Sequence, residues 1–238
     1  MWHRRPGVAQ SMSTLPIDVW SDIACPWCYI GKRNLDAALV LLQDSNAVDS
    51  NAVDSNAVSV DFHSYLLAPD TPPETDAPEI DFLVQSKGMP ADQVRQMFAH
   101  VTQVAADAGL HYDFDIARHA NTRKAHELLH YAKSVGRQAD MAERLFAAHF
   151  TEGKRLGDVN ELTDLAAEIG LDRDDVENAL RTGTYANVVD ADLDQASAYG
   201  ISGVPFFVID GRYGISGAQP PEVLAQAIGR VLSERAET

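Results

Sequence analysis

Ile17-Asp18-Val19-Trp20-Ser21-Asp22-Ile23-Ala24-Cys25-Pro26-Trp27-Cys28-Tyr29-Ile30-Gly31-Lys32-Arg33-Asn34-Leu35 holds both cysteines of the chain. A β-prone run (Ile17, Val19, Trp20) leads through a polar turn into apolar residues at helical spacing (Ile30, Leu35, Leu39, Leu42), so the cysteines lie where a strand hands over to a helix. With Cys25 as N-cap, Pro26 takes the first helical position, where its missing N–H and fixed φ suit the helix. Free backbone N–H groups and the positive end of the helix dipole then face the Cys25 sulfur, a setting that favours thiolate. Cys28, one turn in, is expected to be more buried. The pattern reads as a dithiol/disulfide pair in which Cys25 attacks and Cys28 resolves.

Composition narrows the classes. The 238 residues are 45% hydrophobic, enough for one domain or one domain with a large insertion. A formal charge of −16 argues against nucleic-acid partners and anionic membrane surfaces. Two cysteines three residues apart are no disulfide scaffold. Arg4 and Arg5 are followed by no apolar leader region, and no stretch has the length of a membrane span. The expectation is a cytoplasmic protein, a monomer or homodimer, with no nucleic-acid or membrane partner.

Residues 1–16 read as a disordered extension. Asp44-Ser45-Asn46-Ala47-Val48, present three times through Val58, has a period that fits neither helix nor strand and is read as a flexible loop. Its aspartates lack the spacing of a calcium-binding loop. Ser59-Val60-Asp61-Phe62-His63 alternates as a half-buried strand ended by the proline-rich stretch Pro69 to Pro78. Residues 79–182 read as an all-helical block, with ends marked by Gly109, Gly136, Gly153 and Gly170 and starts marked by Asp158 (with Glu161 three residues on) and Asp172. Phe206-Phe207-Val208-Ile209 and Arg212-Tyr213-Gly214-Ile215 flank Asp210-Gly211, a hairpin signal of type I′. A last amphipathic helix carries Val223, Leu224, Ala227, Ile228, Val231 and Leu232. The order is α/β: a thioredoxin-like sheet from residues 17–78 and 183–235, interrupted by the all-helical insertion.

Four motifs carry a resemblance: Cys25-Pro26-Trp27-Cys28-Tyr29-Ile30-Gly31-Lys32-Arg33; Asn121-Thr122 with Ala125-His126; Gly200-Ile201-Ser202-Gly203-Val204-Pro205-Phe206-Phe207; and Ser216-Gly217-Ala218-Gln219-Pro220. Together they resemble the FrnE-like branch of the DsbA-like thioredoxin-fold oxidoreductases, from Ile17 to Leu232. The resemblance implies a cis Pro205 beside the CxxC pair, a Val204 backbone lying along a bound substrate, and a substrate-binding set of Pro26, Trp27, Val204 and Pro205 around catalytic Cys25 and Cys28. It implies protein or small-molecule thiols and disulfides as partners, and no cofactor beyond the redox-active disulfide, with a low-molecular-weight thiol as a candidate reductant. Lys32 and Arg33 read as a solvated helix face, and His63 as a satisfied surface histidine.

Three other readings compete. The kappa-class glutathione transferases and hydroxychromene carboxylate isomerases share the interrupted fold, but there a serine commonly replaces Cys25 and a Ser-Asp pair stands at Ala218-Gln219; both departures favour redox chemistry. His126-Glu127-Leu128-Leu129-His130 matches H-E-x-x-H of zinc hydrolases, yet Lys133 and Gly136 break the extended motif and no third ligand is evident, so no metal is expected. A peptide-binding module with idle cysteines is the non-enzymatic reading.

Overall fold

A computed structural model describes residues 14–46 and 58–237. The expected terminal extension up to residue 13, and the pentad loop over 47–57, lie outside the described residues. Six strands and nine helices follow in order among the described residues. The first strand, β1 (Leu15–Ser21), starts two residues earlier than Ile17, because Leu15 is fully buried and belongs to the same inward alternation as Ile17 and Val19. It leads to α1 (Pro26–Asn46), which continues into the first pentad instead of ending before it, and the chain returns in β2 (Val58–Ser64).

β1 is the hub of the main sheet. It pairs in parallel with β2, from Leu15 opposite Val58 to Ser21 opposite Ser64, and antiparallel with β5 (Phe206–Ile209), from Ile17 opposite Ile209 to Trp20 opposite Phe206. β6 (Tyr213–Ser216) closes the order β2-β1-β5-β6. The β5–β6 turn has the expected positive φ at Asp210 (58°) and Gly211 (63°), and Arg212 N–H donates to Ile209 O at 3.1 Å. Pairing resumes at Tyr213, so Arg212 belongs to the turn, one residue later than the hairpin pattern implied. The final helix, α9 (Pro221–Ala236), packs against α1, and Leu224, Ile228 and Val231 join Ile17, Val19, Ile30 and Leu35 in the principal core. Alternation sends Trp20 to the other face, where it is buried with Ala196, Ile201 and Val208.

The insertion leaves the sheet after β2. It comprises α2 (Glu79–Lys87), α3 (Ala91–Asp107), α4 (Arg123–Ser134), α5 (Gln138–Phe150), α6 (Val159–Glu168) and α7 (Arg173–Thr182), after which α8 (Ala186–Ala198) covers β2. The block is not wholly helical: β3 (Ala77–Pro78) and β4 (Arg118–His119) form a two-residue antiparallel ladder, too short to leave a periodic trace in sequence. Asp158 caps α6 through Asn160 and Glu161 N–H groups, but Glu161 does not return the bond; its carboxylate accepts from Arg155 instead. Asp172 caps α7 through the N–H groups of Asp174 and Asp175.

Leu128, Leu145, Phe146 and Phe150 of the block are continuous with the sheet core through Tyr29, whose ring stacks on Phe146 at 5.0 Å. This is a DsbA-like thioredoxin fold, α/β with a helical insertion. The insertion is thereby packed directly behind the cysteine-bearing turn.

Candidate active site

Pro26 heads α1, so Cys25 sits immediately before the first helical residue, as its sequence context requires. Its N–H donates to Asp22 O at 3.0 Å, and Cys28 N–H donates to Cys25 O at 3.0 Å, which winds both thiols onto one side of the turn. The cysteines are free thiols 3.5 Å apart. Across from them the Val204–Pro205 bond is cis, and the Val204 carbonyl accepts from Cys25 Sγ at 3.6 Å. Cys25, Cys28, Val204 and Pro205 thus converge. Gly31 makes that approach possible: a Cβ there would lie 2.8 Å from Pro205 Cγ.

The other two residues expected at the site frame it. Pro26 O accepts from the Tyr112 hydroxyl at 2.7 Å, pinning the helix start to the block. Trp27 remains 37% exposed, its ring tilted against His100 at 6.2 Å, and forms a rim. The two thiols differ: Cys28 is pushed well up, first by burial and then by its contact with Cys25, so it holds its proton at neutral pH. Both are buried, and Cys25 is the one whose sulfur touches the Val204 carbonyl.

The turn that carries the pair also holds a polar cluster around Asp22 that the sequence reading did not assemble. Asp22 Oδ1 accepts from Thr122 Oγ1 at 2.8 Å and from Ala24 N–H at 3.2 Å, and meets His126 Nε2 at 3.4 Å; Oδ2 accepts from Leu67 N–H at 2.8 Å. Burial works to raise the Asp22 carboxyl, but the hydrogen bond and charge of His126, with the Leu67 N–H and the Thr122 hydroxyl, hold it below the usual range. The available signal was an acid in the turn three residues before Cys25, which demands partners when buried.

H-E-x-x-H does not assemble as one ligand face. His126 turns to Asp22, whereas His130 Nε2 contacts Ser64 Oγ and Asp192 Oδ2, each at 3.0 Å, and Glu127 pairs with Lys124 at 3.0 Å. Among the described residues, no three His, Cys, Asp or Glu side chains form a group suited to a metal ion.

Lys32 and Arg33 are not a solvated face. Lys32 is buried, because α5 packs over α1 and brings Glu143 to it at 2.8 Å; the same carboxylate takes Arg33 at 2.6 Å and the Tyr29 hydroxyl at 2.6 Å. His63 is satisfied but only partly exposed, held between Asp192 at 2.7 Å and Asp18 at 3.0 Å and stacked on Trp20 at 4.6 Å. Burial alone would lower it; the hydrogen bonds of Asp18 and Asp192 and their charges push it up to about 9.

The comparisons agree with this geometry. A probable DsbA oxidoreductase from Streptomyces coelicolor is 34% identical, covering 92% of this chain and 91% of that one with a TM-score of 0.83. The uncharacterized protein YwbO of Bacillus subtilis is 30% identical over 220 residues, 90% of this chain and 96% of its own. The cytosolic disulfide reductase DsbM of Pseudomonas aeruginosa, whose structure is also known with GSH, shares the fold at 19% identity and a TM-score of 0.64, covering 92% and 99%. The DSBA-like thioredoxin domain model matches residues 16–229, from the first sheet strand to the last helix, and the chain belongs to that family.

Proposed function

We propose that the protein is a thiol-disulfide oxidoreductase of the reductase or isomerase kind, with Cys25 as nucleophile and Cys28 as resolving thiol. The carrying observation is the position of Cys25 Sγ, at the start of α1 and 3.6 Å from the Val204 carbonyl, with a protonated Cys28 behind it. Cys25 thiolate attacks one sulfur of a substrate disulfide; the Cys25–substrate bond forms and the other substrate sulfur leaves as thiolate. Cys28 then loses its proton and attacks Cys25 Sγ, closing Cys25–Cys28 and releasing the second substrate thiol. The electron pair passes through the protein disulfide, so no bound cofactor enters.

The Val204 backbone beside the thiol suits an extended substrate segment, paired without regard to its side chains. Trp27 at the rim adds an apolar contact. A low-molecular-weight thiol returns the pair to the dithiol. In a reducing compartment such as the cytosol, the pair rests reduced and works as reductase or isomerase. Ala218-Gln219 supports this over glutathione transfer: the Gln219 side chain is turned into its own loop, donating to Ser216 O at 2.8 Å.

Reduction of a fluorescently quenched disulfide peptide tests the assignment. Cys25→Ser abolishes turnover, and Cys28→Ser accumulates a mixed disulfide visible by intact mass. Turnover retained by Cys25→Ser removes the assignment.

A further inference from the structure

Val204 is held opposite Cys25 from the second face of the sheet. Residues 199–204 join the end of α8 to the cis-proline, and Val204 packs against both core clusters, including the one formed by Trp20, Ala196, Ile201 and Val208. Trp20 links this loop to α8: its Nε1–H donates to the Asp192 carbonyl at 3.2 Å, and its ring meets Tyr199 edge-on at 5.5 Å. The His63 ring stacks on the same indole at 4.6 Å and bridges Asp192 Oδ1 of α8, at 2.7 Å, to Asp18 Oδ1 of β1, at 3.0 Å. Asp192 Oδ2 accepts from the Ser64 N–H at 2.7 Å and meets His130 Nε2 of α4 at 3.0 Å. One residue of α8 is therefore gripped by β1, β2 and α4 at once. Withdrawing such charges from water is costly, and apolar groups of similar volume often stabilise a fold as well. What charge-assisted hydrogen bonds add is direction: they admit one arrangement of the joined elements.

We infer that His63 and Asp192 are positioning residues that set the Val204 backbone opposite Cys25, and so determine how well an extended peptide disulfide docks there. The inference deepens the oxidoreductase reading and rests on it. Both side chains act through Trp20 and α8. With a proton on each ring nitrogen, His63 donates to both carboxylates; when the ring is neutral, one nitrogen turns a lone pair toward a carboxylate and that arm of the clamp opens. Asp18 from β1 and Asp192 from α8 face the ring, His130 of α4 shares Asp192, and α5 contributes the neutral Gln138, bound to the Phe62 backbone. Burial opposes the charge on His63, but the hydrogen bonds and charges of Asp18 and Asp192 push it up to about 9, so the clamp is closed at neutral pH.

The experiment compares two disulfides on the reduced protein: a neutral peptide disulfide with blocked ends, which pairs with the Val204 backbone, and 4,4′-dithiodipyridine, which has no peptide backbone to pair. Both draw on the same Cys25 thiolate, so its ionisation cancels in the ratio of their second-order rates. His63→Phe keeps a ring on Trp20 and removes both charged bonds. It lowers the peptide rate about tenfold, through a higher half-saturating concentration and not a lower limiting rate, and leaves the dithiodipyridine rate within about twofold. In the unsubstituted protein the ratio of peptide to dithiodipyridine rate falls between about pH 8 and 10 as His63 loses its proton, and that fall is missing in His63→Phe. A ratio at neutral pH that is the same in His63→Phe as in the unsubstituted protein, whether both rates drop or neither does, overturns the positioning role. If His63→Phe does not fold, the pH course of the unsubstituted protein decides, and a flat course overturns it. Absence of reaction with either disulfide in the unsubstituted protein overturns the oxidoreductase reading, and the role of the clamp falls with it.

Discussion

Two cysteines of identical chemistry are made unequal by three residues of chain. Cys25 opens α1 toward Val204, whereas Cys28 is raised by burial and by its neighbour. Iodoacetamide at neutral pH is therefore expected to modify Cys25 well before Cys28, as read by peptide mass spectrometry at limiting reagent; equal labelling contradicts the inequality. Gly31 bears on the same site from the far side. A methyl at Gly31 would press on Pro205 Cγ and Phe207, so Gly31→Ala is expected to destabilise by about 1–3 kcal/mol in urea unfolding and to reduce exchange activity. What could be read from local sequence here was Cys25-Pro26 at a helix start, whereas Val204 and Pro205 entered through the family resemblance. Asp22, Thr122 and His126 escaped because their meeting spans 100 positions and more, which no local period records.

At the scale of elements, α1 is tied to the insertion, and β2 to α8, by charge. Glu143 of α5 binds Lys32, Arg33 and Tyr29 of α1 together. Glu143→Gln leaves Lys32 buried with only Asp36, and a loss of about 1–2 kcal/mol is expected, reduced from a buried-pair value because Glu143 is partly solvated. The β2–α8 joint is His63 between Asp18 and Asp192. Its folded value, about 9, stands above the ordinary 6.5, so the protonated form stabilises the fold fully below 6.5 and that contribution disappears as pH rises through 9. Urea midpoints should fall between pH 6 and pH 10 more steeply for the native protein than for His63→Gln; parallel curves would remove His63 as the cause. These joints explain which helical features sequence could reveal. Capped starts at Asp158 and Asp172 are local and legible. The buried state of Lys32 depends on a partner on a different helix, and an amphipathic reading of α1 alone puts it in solvent.

For the molecule as a whole, a charge of −16 sets the long-range field around the cysteine pair. A cationic disulfide peptide should be reduced faster than an anionic one of equal length, with the gap narrowing as salt is raised past the range where the Debye length is about 10 Å. Stopped-flow rates at low and high ionic strength test this, and a salt-independent ratio would exclude steering. The fold class was readable because strand, CxxC helix, strand, helical block, hairpin and helix follow one another in an order few architectures share. The β3–β4 ladder was not, since two-residue strands have no period.

The sheet draws its central neighbours from opposite ends of the chain, β1 near the beginning and β5 after residue 205, and the Cys25 thiol meets its Val204 oxygen across 179 positions. During synthesis, then, the ribosome releases the thiols long before it makes the loop that faces them. At translation rates of about 5–20 residues per second, that interval is on the order of ten seconds or more. Throughout it the growing chain carries two cysteines with no cis-proline wall beside them, open to whatever thiols and oxidants surround it. The first redox encounter of these thiols precedes the loop that will enclose them.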